Sequence, residues 1–121
     1  MIILPTFPVT ELIDRYLIAE IKNEKGGNNT EELEFYAHQI KIYNLNLVAD
    51  LMQQLKDIHL GIWDLEKELK IGAEQKLSLE EIGRRAIAIR NKNNQRVKCK
   101  NQIAELLGCK VKEFKLDHLS Q

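Results

Sequence analysis

The stretch "LSLEEIGRRAIAIRNKNNQRVKCKNQIAELLG", residues 77–108, decides the fold. Ser78 and Glu81 stand in capping-box register, and Leu77 with Ile82 forms the hydrophobic staple around them. A helix is therefore predicted to start at Leu79. It runs to Leu107, where Gly108 supplies the stop, because glycine enters the left-handed conformation that closes a helix. Seven of its side chains between Ile82 and Ala104 are Arg or Lys, and none is Asp or Glu. The whole chain balances 18 cations against 18 carboxylates.

That local charge suggests nucleic acid, but its placement argues otherwise. Projected at 100° per residue, Arg84, Lys92 and Lys98 point outward in different directions. The seam of the helix is Ile82, Ala86, Ile89, Asn93, Arg96, Lys100, Ile103 and Leu107, so three consecutive inward positions are polar. A nucleic-acid helix would present its basic stripe to solvent, often with aromatics, and no aromatic residue lies between Trp63 and Phe114. Nucleic-acid binding is disfavoured. Buried cations need partners, since an unpaired one costs several kcal/mol. One solution is an ion-pair ladder with Asp14, Glu20 or Glu34, or with Asp50, Asp57 and Asp64, which repeat every seven residues. The alternative is an anion pocket between helices, held by Arg96, Lys100 and Arg85 with Asn93 orienting the ligand. The ladder is the favoured reading.

Upstream, no glycine occurs between Gly27 and Gly61, and no proline follows Pro8. Leu33, Ala37, Ile40, Asn44, Leu47 and Leu51 step by alternating four and three. The stripe then shifts one place to Leu55, Ile58, Ile62, Leu65 and Leu69. This pattern favours one continuous helix over residues 30–70, about 60 Å long. A break near Tyr43–Asn46 is the alternative, because Asn44 and Asn46 are mediocre helix formers. Asn29 or Thr30 caps its start, with Glu31 and Glu32 in the first turn. Before "KGGNN" (25–29), a turn signal, Thr10 caps a helix over 10–24 whose stripe is Leu12, Ile13, Tyr16, Leu17 and Ile21. Residues 1–9 read as an extended apolar arm, and residues 108–121 as a tail too short to assign.

The expectation is a single all-α domain: a long antiparallel helical hairpin with a shorter N-terminal helix beside it. Leu45, Met52, Leu60 and Trp63 widen the apolar arc beyond the main seam, more than three helices in one layer would cover. A homodimer completing the bundle is expected, with Trp63, Met52 and Leu60 at an interface, or else a protein partner.

Composition sets further bounds. At 121 residues, 44% hydrophobic and 30% charged, the chain suits one globular domain, and only 6% aromatic residues with two prolines favour helix. No apolar run approaches the roughly 18 residues that span a bilayer, so no membrane partner is expected. Cys99 and Cys109, ten apart, would sit about 15 Å from each other on one helix, beyond disulfide reach. Two free thiols suit a reducing cytoplasm. Glu34 and His38 have i,i+4 spacing, but no second ligand pair supports a metal. "EELE" (31–34) is similar to an acidic metal motif of all-helical nucleotide hydrolases, without the second acidic element those enzymes need. No phosphate loop or flanked nucleophile is present, so no cofactor and no catalytic residue is assigned. Small helical chorismate mutases show that Arg and Lys alone can serve catalysis in such a bundle, an analogy of class only.

"ELIDRYLIAEIK" (11–22), "IWDLE" (62–66) and "IGRRAIAIRNKNNQRVKCKNQIAELLG" (82–108) with its short tail resemble a family of small uncharacterised bacterial all-helical proteins. Members are sometimes encoded near glycosyltransferase or surface-polysaccharide genes. The resemblance covers most of residues 9–116 and implies a helical fold. It carries over no activity and no site residue. The functional expectation is thus a helical interaction or scaffold module, with an anion-binding protein or enzyme as the alternative.

Overall fold

The computed structural model describes residues 8–74 and 76–108; the tail, Cys109 and most of the N-terminal arm lie outside them. The fold is all-α. Among the described residues four helices follow one another: α1 (Val9–Glu24), α2 (Thr30–Ile40), α3 (Ala49–Glu74) and α4 (Leu79–Leu106), with a short 3-10 turn, Asn46–Val48, ahead of α3. No strand occurs among the described residues.

The Ser78 half of the expected capping box places the start of α4, whereas the Glu81 carboxylate turns to Arg84 and Arg85 instead. The Ser78 hydroxyl accepts the Glu81 backbone N–H at 3.2 Å, satisfying one of the donors that a helix start leaves open. Leu107 is the C-cap, and Gly108 follows with φ +70, where a side chain would be strained. The turn into α4 carries a cost, since Lys76 holds φ +59 without being glycine. At the other end of the chain α1 begins at Val9, one residue before the expected start. Its N-cap is Pro8, whose φ of −54 suits a helix entry, and Thr10 is buried rather than capping.

One continuous helix over 30–70 does not form. The chain leaves α2 after Ile40, turns through residues 41–45 and re-enters helix at the 3-10 turn. Asn44 supplies a physical reason: its Oδ1 accepts the Asn46 backbone N–H at 3.2 Å, a local bond that competes with the helix ladder. As a result α2 folds back on α1 alone, and α3 takes α4 as its antiparallel neighbour. Gly26 at φ +90 makes the α1–α2 turn, and Asn29 anchors it by donating from Nδ2 to the Ala19 carbonyl at 2.9 Å.

The core forms where α1 lies against the α3–α4 hairpin. Ile13 and Leu17 from α1, Val48, Leu55 from α3, and Cys99 with Ile103 from α4 make one buried cluster. α1 is the element that closes this hairpin, and its polar residues must therefore be accommodated in the same interface.

Candidate functional site

Beside that core sits a network of charged side chains drawn from three helices. Asp14 of α1 is its hub, only 4% exposed. Its Oδ1 lies 2.6 Å from His59 Nε2 of α3, and its Oδ2 accepts from Arg96 Nη1 of α4 at 3.1 Å. Lys100, also 4% exposed, donates to Glu11 Oε2 at 3.1 Å and stands 3.6 Å from Asp14 Oδ2. Glu11 and Asp14 are one helical turn apart, as are Arg96 and Lys100, so each helix offers a matched pair of charges to the other.

The charges account for the protonation of Asp14. Burial by itself raises its pKa and is the largest single effect. The hydrogen bond from His59 and the charges of Lys100, His59 and Arg96 together outweigh it, leaving the carboxyl below its ordinary value. With Asp14 ionised, His59 Nε2 must carry the proton it shares, which orients the ring and leaves Nδ1 as the free nitrogen. Nδ1 makes no hydrogen bond to any described residue. Glu11 also accepts from Arg15 Nε of its own helix at 3.2 Å, so the two carboxylates are shared among Arg15, Arg96, Lys100 and His59.

A second tie between α1 and α3 lies nearer the surface. Lys56 Nζ reaches Glu20 Oε1 at 2.6 Å and Glu24 Oε1 at 2.7 Å, and Tyr16 donates to Glu20 Oε2 at 3.0 Å. The hydrogen bonds to Glu20 and then Glu24 raise the Lys56 pKa despite some burial. Burial first, then the Glu20 hydrogen bond, raises that of Tyr16.

Of the four residues proposed for an anion pocket, the structure gathers two. Arg96 and Lys100 meet at Asp14. Asn93 instead donates back to the Ile89 carbonyl of its own helix at 3.3 Å. Arg85 is further along α4, donating to Glu81 Oε1 at 3.2 Å and to the Glu68 carbonyl at 3.1 Å. The carboxylates that match the inward cations stand on α1, not along α3. Asp50, Asp57 and Asp64 are all exposed, and Asp57 accepts only from Gln53 on its own helix. The expected ladder is therefore a cluster, because α1 crosses the hairpin at one place rather than running its length.

Met52, Leu60 and Trp63, expected at an interface, are each half-buried. Met52 packs on the core of its own chain, and Trp63 stands in a cleft between α1 and α3 together with Ile18, Ile21, His59 and Ile62. Sequence reasoning missed Glu11 and His59. Glu11 carries a signal in retrospect, one turn before Asp14, whereas His59 has none, its partner being 45 residues away. Among the described residues no three potential metal ligands converge, and no helix is long and apolar enough to cross a membrane.

Comparison with protein-family models, with characterised proteins and with solved structures yields no match to this chain.

Proposed function

We propose that this chain is a helical interaction module that associates with a second copy of itself. One observation carries the proposal. Within residues 35–47, Phe35 is 45% exposed, Ile42 78% and Leu47 67%, while α2 buries none of its own residues and touches only α1. Apolar side chains of that size gathered on one short segment gain on the order of 1.5–3 kcal/mol each when covered. A two-fold pairing covers the same patch on both copies at once.

The electrostatics support the same reading. Arg96 and Lys100 already pair with Asp14 and Glu11 within the chain, so an external anion there would have to compete with these carboxylates. The network acts as a polar register that fixes where α1 crosses the hairpin. A cytoplasmic setting, suited to a reduced Cys99 thiol, and membership of the bacterial helical family belong to the same proposal. Sedimentation velocity at tens of micromolar tests it: the wild-type chain should sediment as a dimer, and Ile42→Asp with Leu47→Asp as a monomer of unchanged helicity. A wild-type monomer at several hundred micromolar would reject self-association.

A further inference from the structure

The cleft beside Trp63 touches the buried network through His59 and has no lining residue in common with the apolar segment. The cleft, about 220 Å³, is lined by Ile18 and Ile21 of α1 and by His59, Ile62, Trp63 and Glu66 of α3. A neighbouring cavity of about 390 Å³ shares Trp63 and Glu66 with it and is lined also by Lys25, Lys67 and Lys70. None of these three lysines makes a salt bridge with a described residue. The residues lining this second cavity are thus three lysines, Trp63 and one carboxylate, Glu66.

We propose that this cleft binds a small amphiphilic anion, an aryl or branched-alkyl carboxylate or phosphate free in solution. Its apolar body lies between Ile18, Ile21, Ile62 and the Trp63 ring, where aromatic and aliphatic surfaces remove it from water. Its charged head stays at the mouth, where the lysine ammonium groups reach it as mobile point charges. His59, held by Asp14, completes the lining of the cleft. The site thus differs in place from a pocket built on Arg96 and Lys100. It does not depend on self-association, because residues 35–47 take no part in it.

Trp63 is the only tryptophan in the chain, so its fluorescence reports on the cleft directly. The probe is 8-anilinonaphthalene-1-sulfonate, an aromatic anion that accepts energy from tryptophan. Its uncharged counterpart, N-phenyl-1-naphthylamine, controls for apolar binding alone. The folded wild-type chain should bind the sulfonate with one-to-one stoichiometry and quench Trp63. Lys67→Glu with Lys70→Glu should weaken the sulfonate by about tenfold or more and leave the neutral probe within about twofold. Ile18→Gln should weaken both. Circular dichroism confirms that each variant retains its helix content. Equal sulfonate affinity in the charge-reversed variant would overturn the proposal. So would binding without Trp63 quenching, a stoichiometry of several probes per chain, or a Trp63 response to anionic vesicles alone.

Discussion

Replacing Asp14 with Asn removes one charge and almost no volume from the centre of the interface. The structure sets the size of the effect. Asp14 accepts from His59 at 2.6 Å and from Arg96 at 3.1 Å, and it is nearly inaccessible to water. An asparagine could offer its carbonyl oxygen to one of these donors, but its amide N–H groups would face the other. Removing one partner of a buried pair costs about 3–5 kcal/mol. Lys100 keeps Glu11 at 3.1 Å, which moderates the loss, so about 3 kcal/mol is expected, or ~10 °C in Tm for a domain of this size. The pH dependence provides a second signature. The folded pKa of Asp14 lies below its unfolded value, so its stabilisation is fully present above the unfolded pKa of about 3.9 and is lost as pH falls through the folded value. Wild type should therefore lose stability below about pH 4, and the Asn variant should show a shallower acid limb. Urea unfolding followed by circular dichroism between pH 3 and pH 7 measures both effects. Lys98→Ala, on the exposed side of α4, is the control and should cost under about 0.5 kcal/mol. An Asn variant as stable as that control, with an unchanged acid limb, would refute the assignment of Asp14 as hub.

Three further substitutions test the scaffold. Ser78→Ala removes the side-chain acceptor at the start of α4 and should cost about 1 kcal/mol by urea unfolding. Lys76→Gly relieves the left-handed backbone at φ +59 and should stabilise by roughly 0.5–1 kcal/mol, seen as a higher denaturation midpoint. Leu55→Ala, at a fully buried position where α1, α3 and α4 meet, should cost about 3 kcal/mol and lower the midpoint without changing the m-value.

What could be read from the sequence was local. The start of α4 was legible because a capping box places side chain and backbone three residues apart, whatever surrounds them. The inward turn of Arg96 and Lys100 was legible because projection on one helix needs no neighbour. The break after Ile40 was obscured by coincidence. Leu33, Ala37 and Ile40 belong to α2, which packs on α1, while Leu55, Ile62 and Leu65 belong to α3, yet the two stripes join in nearly continuous heptad register across Asn44. The Asn44–Asn46 pair was the available signal, and its weight depends on a side-chain hydrogen bond that spacing does not show. The partners of the inward cations were harder still. Asp50, Asp57 and Asp64 have a regular repeat that faces water, whereas Glu11 and Asp14 occupy the interface because α1 crosses there. His59 reaches Asp14 only through tertiary packing, so no periodicity could have paired them.

Arg96 and Lys100 of α4 are directed inward onto Asp14 and Glu11 of α1, and a double-mutant cycle on Asp14 and Arg96 measures this pairing most directly. Stability is determined for wild type, Asp14→Ala, Arg96→Ala and the double variant. With Arg96 Nη1 3.1 Å from Asp14 Oδ2 in a buried setting, the two losses should fall short of additivity by about 1.5 kcal/mol or more. Additive losses, within about 0.5 kcal/mol, would mean that the two side chains do not interact in the folded protein, and the account would fail.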